Sequence, residues 1–534
     1  MNFRSRLCMA VASFGLGSVF AADVLPPMLD DDMCVPNGGT YRFFPKAGWQ
    51  GGINKRITKV YEESPYQRFS AMRYWRGGWN ALEGGKDEWR FDQTVEPLLQ
   101  QCLAERARII LGLCWMCGGG LRGNTNVVWK ADDGNWCAVP RYLYGELKAS
   151  DHPLKFDASF GGGLTPDYDS PILQDRFRAL LLAFAKWIEK PVAGTQIRRK
   201  DLIYGIELRY FGYWGEGAVK GGTYPVSEGF DRFIDAYLEA FPDILLIAPA
   251  QEALHLPLEK AYLKNPSNPQ ALRAMKHVGR MFHARNQAGP IGFFIDCWEP
   301  RTHLPTDTRV MFTPEGKVEK LGDCRLNHLW GNAYVTGEFA YFIRKYNKND
   351  LPYATLGEQF RERHASGLSV HNFTIIDTTQ GAADPSLGNR PRTDVRPSDE
   401  ICANTRRAMA TLGYRIVLGS PKVARDEQGT AVSFTLTNIG TSKMFHDYYR
   451  VRVFAEDATG KVLESVDVPF DLRTLLPGEK PLVWDESHGT TVRANLKTKQ
   501  GRVRLVFTDA KGIEHPMCLS NRGRRGTDGS YGLE

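Results

Sequence analysis

The run Leu202-Ile-Tyr-Gly-Ile-Glu-Leu-Arg-Tyr-Phe-Gly-Tyr-Trp-Gly-Glu-Gly217 (LIYGIELRYFGYWGEG) reads as one buried strand followed by a glycine-broken loop. Leu202, Ile203, Ile206, Leu208, Tyr210 and Phe211 supply the aliphatic, β-branched and aromatic character of that strand. Gly212 and Gly215 break the run and leave Trp214 and Glu216 on the loop. The end of a buried strand is where an α/β barrel places its catalytic groups. A flat apolar ring beside a carboxylate is what a sugar site uses. Glu207, inside the strand, is a second acid, and carboxylates are seldom buried without a partner. The plainer reading pairs Glu207 with Arg209 or a neighbouring strand's arginine and leaves Glu216 facing solvent.

Outward from this run the same pattern repeats. Gly39–Phe44, Phe69–Trp75 and Ala107–Cys114 read as earlier strands, and Ile244–Ala248, Ile291–Asp296, Ala333–Glu338 and Leu368–Ile375 as later ones. Helical patterns lie between them: Thr94–Arg106, the stripe Leu173, Phe177, Leu180, Leu181, Phe184 and Trp187 opened by Pro171, then Glu228–Glu239 and a region reaching Gln287. Eight such steps predict a (β/α)8 TIM barrel over residues 23–410. From Tyr414 the period changes to short alternating strands divided by Asn438-Ile-Gly440, Pro477-Gly478 and Asp509-Ala-Lys-Gly512. This predicts an immunoglobulin-like antiparallel β-sandwich over 411–534.

The chain has 534 residues, more than one average domain. Residues 1–22 read as a signal peptide: Arg4 and Arg6, an apolar stretch from Leu7 to Phe20, and a small-residue site with cleavage near Ala21 or Ala22. The expected location is therefore periplasmic or secreted, with no membrane span in the mature chain. The formal charge of +7 falls to about +5 on cleavage. Its basic clusters are short, so nucleic acid is not an expected partner. Of the cysteines left after cleavage, Cys117 and Cys137 are the preferred disulfide candidate. No paired CxxC with ligand-spaced histidines, nucleotide-binding glycine motif, G-x-S-x-G or H-E-x-x-H is present, and no metal or cofactor is expected.

The acids at strand ends are the candidates for chemistry. Glycosidic cleavage needs one protonated and one ionised carboxyl, about 5 Å apart in a retaining enzyme. Glu216 after strand four and Glu338 at the end of strand seven face the same barrel mouth on topology, with Asp296, Glu299 and Glu207 as rivals. Trp79, Trp214, Trp298 and Trp330 are candidate sugar platforms, and each also fits a core position. Arg76, Arg209, His371 and Asn372 are candidate contacts to sugar hydroxyls or to the nucleophile.

Phe211-Gly-Tyr-Trp-Gly-Glu216, the Trp79–Phe91 loop with Leu82-Glu83-Gly84, and Leu412-Gly-Tyr414 resemble segments of an exported bacterial barrel-plus-sandwich family of unknown function. That family is related to the clan of retaining glycoside hydrolases with catalytic glutamates at strands four and seven. The resemblance implies Glu216 as acid/base and Glu338 as nucleophile, acting on a polysaccharide or oligosaccharide. One departure is clear: Gly215 stands where the clan carries asparagine. The other reading is a non-catalytic saccharide-binding or envelope-assembly protein with the same tryptophan-lined cleft.

Overall fold

The computed structural model describes residues 40–43, 70–116, 128–158, 162–212, 215, 227–249, 264–265, 267–298, 310–312, 318–320, 333–339, 355–369, 408, 411–478, 480–521 and 526–534. The proposed signal segment lies outside them, as do Cys117, Trp214, Glu216, Glu299, Trp330, His371 and Asn372.

A curled parallel sheet of TIM-barrel-like form is built from β1 (Thr40–Phe43), β2 (Ser70–Gly78), β3 (Arg108–Trp115), β4 (Ile203–Leu208), β5 (Leu245–Pro249), β6 (Gly292–Trp298), β7 (Val335–Phe339) and β8 (Leu368–Ser369). Neighbours in sequence are neighbours in the sheet, and β1 pairs with both β2 and β8. β4 and β5 are buried along their whole length, which is why both read as largely apolar runs. Met72, Tyr74, Ile110, Tyr204, Leu245, Ile247, Phe294 and Tyr334 form the inner cluster. Ile109, Leu111, Leu113, Ile206, Leu208, Leu246 and Ile295 pack outward, with the alternation on β4 shifted past Tyr204 where its pairing with β3 slips. The outer layer includes α1 (Glu96–Ala104), α2 (Pro171–Ile188), α3 (Arg232–Ala240), α4 (Pro269–His283) and α5 (Leu356–Glu362). Ser170 and Asn268 cap α2 and α4 with side-chain oxygens, each just before a proline in the first turn.

Two expected boundaries move. Strand two runs on to Gly78, so Arg76 is a strand residue and not a loop residue. Strand four begins only at Ile203, because Arg199–Leu202 forms a helical turn, and it ends at Leu208, before Tyr210 and Phe211.

The C-terminal strands form two antiparallel sheets. In one, β9 (Ile416–Asp426), β10 (Gly429–Asn438) and β13 (Thr490–Leu496) lie in that order. In the other, β12 (Val462–Val468), β11 (Tyr449–Glu456), β14 (Arg502–Asp509) and β15 (Tyr531–Gly532) follow one another. Leu418, Phe434, Leu436, Val451, Val453, Leu505 and Phe507 belong to the core that they share.

This unit meets the parallel sheet at the starts of its strands. Phe445 joins the inner cluster edge-on to Tyr334, with ring centroids 5.4 Å apart, and His446 lies edge-on to Tyr204 at 4.2 Å. Arg108, the first residue of β3, is fully buried against Asp509 (2.8 Å) and Glu514, with its guanidinium 3.5 Å from the Tyr448 ring centroid. Catalytic groups of such sheets sit at the opposite, C-terminal ends of the strands. The sandwich therefore packs on the end of the sheet opposite to the one that would carry such groups.

Candidate active site

The inner face of β2 and β4 carries a buried polar cluster. Arg76 and Gly112 are register partners, as are Gly112 and Glu207, so these three positions lie abreast on β2, β3 and β4. Gly112 makes room: a Cβ there would stand 2.9 Å from Arg76 Cγ and 3.2 Å from Arg209 Cγ. Arg209 donates to Glu207 Oε2 from Nε at 2.8 Å, and its Nη2 lies 2.6 Å from the same oxygen. Tyr74 donates its hydroxyl proton to Glu207 Oε2 as well. In turn the Tyr74 oxygen accepts from Arg76 Nε at 2.6 Å and from Arg209 Nη2 at 2.9 Å. Burial raises the Tyr74 pKa, which keeps the hydroxyl protonated as donor. Both guanidiniums also lie over the Phe294 ring, 5.2 and 4.3 Å from its centroid.

Glu207 is thus the paired carboxylate of the plainer reading, and its partner is Arg209. Arg209 and Glu207 are 0% exposed and Arg76 is 2% exposed. The two arginines are committed to Tyr74 and Glu207 rather than presented at a surface. They place positive charge inside the sheet, beneath the strand ends.

The strand leading toward Glu216 leaves the sheet through a tight turn. Gly212 and Gly215 have φ of +75° and +69°, and the Gly215 N–H donates to the Gly212 carbonyl at 3.2 Å. A Cβ on residue 215 would stand 2.4 Å from the Arg209 carbonyl oxygen. This backbone leaves no room for a side chain at position 215. Across the sheet, Glu338 is the register partner of Ser369. Asp296 and Trp298 lie on β6, where the pairing with β7 slips between Ile295 and Trp298. Two residues of β6, Asp296 and Cys297, stand against the single Glu338, the count of a β-bulge.

Trp79 requires a correction. Its ring is fully buried, edge-on to Phe177 at 5.9 Å, and its Nε1 donates to Glu83 Oε2 at 2.7 Å. No face is open to a sugar, so Trp79 is a core residue. Glu83 is buried too, and also accepts from Tyr142 at 2.6 Å, from Arg176 at 2.5 Å and from the Asp87 N–H at 3.0 Å. The acid-and-tryptophan loop after strand two is a structural clamp on α2. Cys137 is buried at the end of a two-residue strand, its Sγ 3.9 Å from the Val139 carbonyl oxygen. Sequence reasoning missed Tyr74, although its alternation with Met72 and Arg76 marks all three as sharing one strand face.

No group of side chains suited to hold a metal is found among the described residues, and no helix among them is long and apolar enough to cross a membrane. Among solved structures, the chain is similar to the catalytic domain of a β-amylase from Paenibacillus polymyxa. Identity is 12% and the TM-score 0.34, over 71% of this chain and 99% of that one. No protein-family model and no curated protein matches the chain.

Proposed function

We propose that the protein is an exported retaining glycoside hydrolase, built on a complete (β/α)8 barrel and acting on a polysaccharide or oligosaccharide. Glu216 protonates the leaving oxygen while Glu338 attacks the anomeric carbon; Glu216 then takes a proton from the water that releases the glycosyl-enzyme. The observation that supports this reading best is the buried Arg76–Arg209 pair. It lies on the inner face of the sheet whose strands four and seven lead to the two glutamates. Positive charge there favours an ionised nucleophile, which the mechanism needs beside a protonated acid. Trp214, Trp298, Trp330, His371 and Asn372 are the proposed sugar contacts, with Asp296 and Glu299 as further acids of the mouth.

The test is a screen of bacterial and algal polysaccharides and aryl glycosides with wild type, Glu216→Gln and Glu338→Gln. A drop in kcat of at least about a thousandfold in both variants, with substrate binding kept, supports the assignment. Turnover unchanged in both variants removes it, and saccharide binding by a wild type without turnover favours the non-catalytic reading.

A further inference from the structure

Tyr210, two residues beyond β4, begins a ring of hydrogen bonds around the exit of that strand. Its hydroxyl lies 2.6 Å from Nε2 of His277 on α4. His277 Nδ1 lies 2.7 Å from Asp231 Oδ1, and Arg273 Nη2 lies 3.0 Å from the same oxygen. Arg273 Nε donates to the Ser227 carbonyl at 2.7 Å. The Ser227 N–H donates to Asp169 Oδ1 at 3.3 Å, and its hydroxyl donates to that oxygen at 2.5 Å. Tyr168, next to Asp169, accepts from the Gly212 N–H at 3.1 Å, which brings the ring back to the strand exit. Gly212 and Ser227 bound the segment that contains Glu216, and both are members of this ring.

The protons in the ring follow from burial. Tyr210 is buried and stays protonated, so it donates to His277 Nε2, and Nδ1–H donates to Asp231. Burial lowers the His277 pKa, while His277 and Arg273 hold Asp231 ionised against its own burial. The groups facing His277 are Tyr210 beyond β4, Asp231 ahead of α3, and Arg273 and Arg280 on α4 itself, with Arg280 paired to Asp235 of α3. A second proton on His277 turns Nε2 into a donor. The Tyr210 hydroxyl then loses its acceptor inside the protein, and a cation is added between two arginines.

We propose that this ring is a proton-sensitive brace on the exit of β4, with His277 the positioning residue that holds the strand exit from which the chain leads on to Glu216. The consequence for catalysis rests on the acid/base reading of Glu216; the brace does not. Amide hydrogen exchange of the full chain, corrected for intrinsic rates, tests it on peptides covering Ile203–Gly212 and Ser227–Ala240. In wild type, protection of both falls at least about tenfold on acidification while that of β11 and β14 holds. His277→Gln, which cannot ionise, removes that pH dependence, and Tyr210→Phe lowers protection already at neutral pH. Wild-type pH dependence retained in His277→Gln, or full protection in Tyr210→Phe, overturns the brace. If the exchange results hold while no saccharide is turned over by wild type, the hydrolase reading falls and the brace stands.

Discussion

Gly112 and Gly215 show how a missing side chain shapes this molecule. An alanine at 112 puts a methyl between Arg76 and Arg209, which share the inner face with Glu207. Gly112→Ala should cost about 1–3 kcal/mol as an overpacked core position, read as a lower denaturation midpoint. Glu207→Gln leaves the Arg209 guanidinium buried against a neutral amide. A loss of about 3 kcal/mol is expected by the same measurement, because breaking one side of a buried pair strands the other charge. Gly215→Asn should disrupt the strand exit, since its Cβ meets the Arg209 carbonyl. Hydrogen exchange at Ile203–Gly212 reads this directly: faster exchange is the expected result.

Helix α4 has two tasks that its own sequence does not separate. Ala271, Ala274 and Met275 pack it into the core, and His277 and Arg273 reach across to the turn ahead of α3. Its first turn depends on Asn268, whose Oδ1 accepts from the Ala271 N–H at 3.0 Å. Asn268→Ala should remove about 1 kcal/mol, with the loss of protection concentrated in α4 and at Ser227–Asp231, because the helix carries one side of the brace. Helix α2 is held differently. The Glu83 cluster ties it to the loop after β2 through Arg176, so this buried acid is a helix anchor.

The parallel sheet and the sandwich share a floor that is both apolar and ionic. Phe445 belongs to the inner cluster of the sheet, and Arg108 is paired with Asp509 and Glu514 of the sandwich. Arg108→Ala strands two carboxylates in the interface and should cost about 3–5 kcal/mol, and calorimetry of the wild type should show one joint transition for both units. Acid attacks the same floor. His446 is half-buried, and desolvation, with Arg108 adding to it, pushes its pKa down to about 3; burial takes His364 down to about 4. Both are depressed below the unfolded value, so the unfolded chain binds more protons once the pH drops below about 6.5. Stability is therefore full above that pH and declines as pH falls toward the folded values, at about 1.4 kcal/mol per unit for His446. Thermal midpoints measured across that range should fall steadily, and less steeply in His446→Phe.

Hydrophobic period was enough to read a curled parallel sheet, because strands buried on both faces are largely apolar, and the switch to alternation after Tyr414 agrees with the separate antiparallel sheets there. The pairing of Glu207 with Arg209 was also legible, since a buried carboxylate needs a near cation and this one lies two residues away. Tertiary structure decided the rest. Trp79 is a candidate platform in sequence and a core ring in space, with Glu83 bonded to it, because what separates a platform from a core ring is which neighbours cover it. Tyr210, Asp231 and His277 are unremarkable in sequence; only the packing of α3 and α4 against the exit of β4 brings them within hydrogen-bonding distance. Local pattern follows from the backbone's own periods, which each segment carries with it. The partners of a buried polar group are set by elements far apart in the chain, and no single segment encodes them.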